Sequence, residues 1–188
     1  MRQLTLAIGF DTEPTFDTFL AGANSLALEA LRTMPPASPP VYLWGEAGAG
    51  KTHLLSALAR QIRQMGGRCG WFDADTPLPW TFDEGWSLIV IDRAERLDAL
   101  RQHAAFSLFV EAATHGVQMA GAGRLPPVDL PVREDLRTRF GWGPVFELRS
   151  LGEDDIRTAL RLEAERRHVG LSDEVLDYLL TRFERDLS

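Results

Sequence analysis

A chain of 188 residues with 45% hydrophobic and 25% charged residues can bury one core, or one core with a small appendage, and does not have the composition of a disordered polypeptide. Its 20 basic and 27 acidic residues leave a net charge of −7, which weighs against a surface built to hold nucleic acid by its phosphates. The lone cysteine, Cys69, excludes an internal disulfide and a cysteine-based zinc site, and fits a reducing cytoplasm.

At the start of the chain, Leu4, Leu6 and Ile8 fall on one side of an extended segment. The apolar run over residues 4–10 follows a single Arg2 and is interrupted by Gly9. It is badly flanked for a signal peptide and far too short for a membrane span, so a soluble cytoplasmic protein is expected. Asp11-Thr12-Glu13-Pro14 reads as a turn. Phe16 and Phe19 come next, and Asn24 has the residue type of a helix cap before Leu26, Leu28 and Leu31. The proline-rich stretch 34–40 can be neither helix nor central strand.

From there strand and helix signals alternate. Residues 41–44 read as a buried strand, and Leu54, Leu55, Leu58 and Ile62 form a helical stripe that ends at Gly66-Gly67. Further strands are predicted at 69–72, 88–91, 117–120 and 145–148, with a helix around Phe106, Leu108 and Phe109. Such alternation implies an α/β fold with a five-stranded parallel sheet covered by helices on both faces. Beyond Ser150 the pattern becomes helical: Ile156, Leu160 and Ala164 share a face, and a second helix begins near Ser172. The closing "RFERDLS" resembles a third helix cut short, so a partial helical lid is expected over 150–188. It follows a nucleotide-binding domain at 11–149 and a tail at 1–10.

Gly45-Glu46-Ala47-Gly48-Ala49-Gly50-Lys51-Thr52 is the P-loop pattern, placed directly after a strand and before a helix. Glycines let the backbone wrap phosphate oxygens, and the helix N-terminus adds its positive dipole end. Lys51 is expected to bridge the terminal phosphates and Thr52 to offer its hydroxyl to Mg²⁺, with Ala49 and His53 completing the cofactor-binding stretch. His53 and His168 carry no catalytic signal of their own. The partner carboxylate should end a buried strand; "LIVID" ends at Asp92, the second Mg²⁺ group. Next comes Arg93, whose guanidinium stays protonated and cannot accept a proton from water. Trp71, Trp80, Trp86 and Trp142 read as packing residues and not as a base-stacking platform.

With these motifs the chain resembles the AAA+ proteins of the DnaA branch, and within it the Hda-like regulatory inactivators. "FDTFLAGANSLALEAL" (16–31) is similar to the segment that precedes the P-loop in that branch, which implies adenine contact at Phe16. "DLRTRFGWG" (135–143) resembles the arginine-finger box, making Arg139 the finger, and "FERDLS" resembles the start of the sensor-2 helix, making Arg185 the sensor-2 arginine. The resemblance further implies bound ADP or ATP with Mg²⁺. It also implies docking on the replication sliding clamp through Gln3, Leu4, Leu6 and Ile8, a Gln-Leu-x-Leu peptide, and DnaA as the target whose ATP hydrolysis is stimulated.

Two departures stand out: Arg93 occupies the usual place of the water-polarising carboxylate, and Gly123 the polar sensor-1 position. Turnover in cis is therefore expected to be weak. The initiator's insertion for single-stranded DNA has no counterpart between residues 72 and 88, so direct sequence-specific DNA binding is not expected. A homo-oligomer is left open. Two other readings compete with the regulator, an autonomous ATPase of clamp-loader or helicase-loader type and a DNA-binding initiator paralogue.

Overall fold

The computed structural model describes residues 14–166 together with residues 170, 172, 174, 175 and 177. Gln3, Leu4, Leu6, Ile8, His168 and Arg185 lie outside the described residues. The short apolar runs become five strands: β1 (Val41–Trp44), β2 (Arg68–Phe72), β3 (Trp86–Ile91), β4 (Gln118–Gly123) and β5 (Val145–Glu147). They pair in parallel, as the alternating pattern predicted, and their order is β2-β3-β4-β1-β5. The helices are α1 (Ser25–Arg32), α2 (Lys51–Gln64), α3 (Ala99–His115), α4 (Glu134–Phe140) and α5 (Glu153–Arg166).

The alternation of side chains along each strand assigns two cores. Val41 and Leu43, Leu88 and Val90, and Ala120 and Ala122 face α1 and α2, where Leu28, Leu31, Leu54, Leu55 and Leu58 meet them. Tyr42, Ile89, Ile91 and Met119 point the other way, onto Leu108 and Phe109 of α3 and Leu136 and Phe140 of α4. Because both faces are dry, the strands read as continuous apolar runs without polar alternation. Each fully buried leucine, such as Leu31 or Leu54, contributes about 1.5–3 kcal/mol. No helix among the described residues is long and apolar enough to cross a membrane.

Three local features differ from expectation. Helix α3 starts well before Phe106, because Asp98 caps it by accepting the Arg101 N–H at 2.9 Å. Residues 134–140, for which the sequence suggested no helix, form α4, since Leu136 and Phe140 share a face and are buried. Asn24 stands before α1 but does not cap it. Its amide instead donates to the Arg149 carbonyl and accepts the Arg149 N–H, both at 2.8 Å, pinning the chain beyond β5 to the start of α1.

Asn24 is only 3% exposed, so truncation strands both backbone groups of Arg149 away from good solvation. We expect Asn24→Ala to lower stability in urea by about 1–3 kcal/mol; a loss below a few tenths would show that water replaces the clamp.

Candidate nucleotide-binding site

The loop leaving β1 is shaped by a close approach on one side. Gly45 has φ +148°, and a Cβ there would lie 2.1 Å from the Leu148 carbonyl oxygen. The Leu148 N–H also donates to the Trp44 carbonyl at 2.6 Å, so β5 presses against the root of the loop and only glycine fits. Gly50, left-handed at φ +88°, is the residue from which α2 departs; a Cβ there would meet the Phe19 ring at 2.6 Å. Lys51 then folds back over the loop, its Nζ donating to the carbonyls of Gly45 at 2.7 Å and Glu46 at 2.5 Å. Burial lowers the ammonium's pKa, while Glu95 and Asp92 act against that shift.

Loop, helix start and the ends of β3 and β4 enclose a cleft of about 330 Å³, lined by Gly48, Gly50, Lys51, Thr52, His53 and Asp92 among others. Asp92, 3% exposed, accepts the Thr52 hydroxyl at 2.7 Å. One carboxylate beside one hydroxyl, with phosphates to supply the remaining oxygens, is the donor set that Mg²⁺ takes in nucleotide sites. Thr52 and Asp92 therefore fit that ion. Ala49 is buried behind the loop.

Arg93 borders the cleft, but its guanidinium is engaged elsewhere. Its backbone is left-handed at φ +53°, and its guanidinium forms ion pairs with Asp73 and, at 3.0 Å, with Asp75. Burial alone would raise the Asp73 pKa, but hydrogen bonds from Arg93, the Asp75 N–H and Thr76 hold it below the usual carboxylate range. Arg93 thus fastens the end of β3 to the turn after β2. A glutamate at 93 would face two aspartates there, so the acid missing from this position could not simply be put back.

Position 123 is closed for a different reason. A Cβ on Gly123 would sit 2.1 Å from the Tyr42 hydroxyl oxygen, 3.1 Å from Glu95 Oε2 and 3.3 Å from Leu130. Tyr42 is fully buried, and its hydroxyl has no hydrogen-bond partner among the described residues. Burial pushes its pKa up, and Glu95 and Asp92 push it further. Glu95, Arg96 and Arg124 also line the cleft, and sequence reading singled out none of them. In "DRAERL" they look like the charges of a solvated turn; only the folding of β4 beside β3 reveals Glu95 as a wall of the site.

Phe16 is placed in the α1–α2 core at 8% exposure and not on the cleft. It is Phe19 that lies against Gly50 and, at 5.5 Å between ring centres, against His53. His53 Nε2 donates to the Thr15 carbonyl at 2.9 Å, tying the segment before α1 to the loop helix. Arg139 is not among the residues that line the cleft; its guanidinium lies 3.8 Å from the centre of the Trp142 ring and 5.7 Å from that of Phe106. Trp142, 55% exposed, packs outside the core on the loop after α4, whereas Trp80 is buried, 4.9 Å from Phe72.

A parallel sheet in which β4 separates the phosphate-loop strand from the strand ending in Asp92 is the nucleotide-binding fold of the AAA+ class. Residues 10–69 match the family model described as the bacterial DnaA ATPase domain. Among solved structures, AMPPCP-bound DnaA from Aquifex aeolicus superposes with a TM-score of 0.73 at 24% identity, over 90% of this chain and 60% of that one. Domain III of DnaA from Thermotoga maritima gives 0.73 at 23% identity, over 90% of this chain and 81% of that one. A Thermotoga maritima RuvB mutant gives 0.63 at 19% identity, over 89% and 59%. The chain spans 59% of a DNA replication initiation factor that it also matches. The described residues share the AAA+ fold of these structures, and the part of the chain that carries the phosphate loop matches the DnaA ATPase model.

If the Tyr42 hydroxyl is what keeps position 123 bare, Gly123→Ala should cost about 1–3 kcal/mol of stability through overpacking. In a Tyr42→Phe background the same change should cost clearly less. A double-mutant cycle in urea reads this coupling; equal costs in both backgrounds would exonerate the hydroxyl.

Proposed function

We propose that this chain is an adenine-nucleotide-binding regulator of the Hda-like kind. It would hold ADP or ATP in its own P-loop, sit on the DNA-loaded sliding clamp through the 1–10 tail, and lend an arginine to the ATP of a neighbouring DnaA. DnaA structures bound to AMPPCP support the choice of nucleotide. Lys51 would leave the carbonyls of Gly45 and Glu46 for the terminal phosphates, and Thr52 and Asp92 would hold Mg²⁺. When bound, that ion supplies neutralisation of phosphate charge.

The observation that carries the reading is the separation of Arg139 from the chain's own cleft. Arg139 borders a different groove, with Pro40, Phe109 and Val117, and rests on an exposed indole. An arginine held there is available to a second subunit and not to its own nucleotide. The ion-paired Arg93 and the bare Gly123 favour weak turnover in cis, so the chain acts by completing another site. In other nucleotide hydrolases such a finger contributes about 10³–10⁵ in rate by stabilising charge on the transferring phosphoryl group. The net charge of −7 favours this regulator over a DNA-binding initiator paralogue.

Arg139→Ala should leave the chain's own nucleotide affinity and clamp binding nearly unchanged, while strongly reducing the clamp-dependent stimulation of ATP hydrolysis by DnaA. Lysine at 139 should rescue little, because it keeps the charge but loses the planar fork. Full stimulation by Arg139→Ala would remove the finger from the mechanism.

The tail has its own test. Replacing Gln3, Leu4 and Leu6 together with alanine should weaken clamp binding by about 10²-fold or more with no change in melting temperature or nucleotide affinity. A triple variant that melts earlier and still binds the clamp would make the tail a structural strand instead.

A further inference from the structure

We propose that Glu95 is the water-orienting carboxylate of this site, supplying from three residues beyond Asp92 the function that Arg93 cannot perform. The inference rests on the reading of the cleft as a nucleoside triphosphate site. The left-handed turn at Arg93 sends its side chain outward to Asp73 and Asp75. The chain then makes a single 3-10 turn, Ala94–Arg96, with Ala94 fully buried. That turn brings Glu95 back to the sheet, where its side chain is only 15% exposed.

Its destination is specific. Glu95 Oε2 lies 3.1 Å from the point where a side chain on Gly123 would begin and accepts the Arg124 N–H at 3.1 Å. Gly123 ends β4 opposite Trp44, the last residue before the phosphate loop, while on the other flank Gly121 stands opposite Ile91, the residue before Asp92. The carboxylate therefore lies beside the place of the absent sensor-1 side chain, on the wall of the cleft that Lys51 and Asp92 also line. The Tyr42 hydroxyl, buried and without a partner among the described residues, comes to the same point and offers a donor. The ion pair of Glu95 with Arg124 does not account for this placement: it is 3.8 Å long with Arg124 65% exposed, a surface contact worth little.

The chemistry is hydrolysis of a nucleoside triphosphate. The oxygen of a water held by Glu95 forms a bond to the γ-phosphorus as the bond from that phosphorus to the β–γ bridging oxygen breaks. The electron pair leaves on the diphosphate, and the water proton passes to the Glu95 carboxylate and from there to the phosphate product.

The test compares the parent chain with Glu95→Gln in single-turnover hydrolysis of ATP with Mg²⁺, alongside nucleotide affinity by fluorescence titration. Glutamine keeps an oxygen for the Arg124 N–H but accepts no proton. We expect a slow parent rate that falls by about 10²-fold or more in Glu95→Gln, with affinity changed less than a few-fold. An unchanged rate overturns the proposal, as does a parent that binds ATP with no turnover at all, or a variant whose defect lies in affinity. A parent that binds no ATP, indistinguishable from Lys51→Ala in titration, fails the nucleotide-site reading itself and the proposal with it. Should glutamine prevent folding, Glu95→Asp carries the test, with a reduced rate expected at unchanged affinity and an unchanged rate counting against.

Discussion

Ala120 stands opposite Val41 of β1 on one side and opposite Val90 of β3 on the other. That double pairing of β4 holds the phosphate-loop strand one strand away from the strand that ends in Asp92. The spacing lets the Thr52 hydroxyl reach the Asp92 carboxylate at 2.7 Å, while Arg124, just beyond β4, lines the same cleft. Parallel pairing requires crossovers, and helices on both faces of the sheet supply most of them, β2 alone among the strands reaching its successor β3 without one; the two dry faces of the sheet follow from that cover. The cleft is therefore a property of strand order before it is a property of any side chain.

Much of this order was legible. The apolar runs at 41–44, 69–72 and 88–91 and the stripe through Leu54 and Leu58 identified sheet and loop helix, because burial on both faces leaves an unbroken hydrophobic signature. The P-loop and Asp92 were legible for a related reason: backbone geometry there demands glycine, and a strand tip demands a polar residue. What stayed hidden depends on contacts between segments distant in sequence. That Arg93 is an oddity could be read, but its partners Asp73 and Asp75 lie some twenty residues away across a turn. Glu95 gave no signal, since a charge in a short turn ordinarily faces water. Asn24 has the composition of a cap, yet its partner is Arg149, 125 residues further along the chain. Helix α4, seven residues long, was too short for its period to emerge from the basic residues around it.

Arg139 and Trp142 illustrate how a surface residue is held ready. A free arginine samples many rotamers, and binding must then pay for its ordering. Laid on an indole face 3.8 Å away, the guanidinium loses part of that freedom in advance while its fork remains accessible. The box that suggested a finger thus contains its own support: α4 ends at Phe140, anchored in the core against Tyr42 and Phe109, and Trp142 follows two residues later.

The run Gln118–Gly123 puts Ala120, Gly121, Ala122 and Gly123 at the centre of the sheet, where bulky β-branched residues would be the usual choice. The volume these small residues decline is taken by neighbours: Phe140 comes within 2.6 Å of where a side chain on Gly121 would start, and Tyr42 within 2.1 Å at Gly123. Residues 42 and 123 belong to different strands but draw on a single space. A side chain can be introduced at 123 only where residue 42 first gives way, so the two positions are tied to one another across the strand pair.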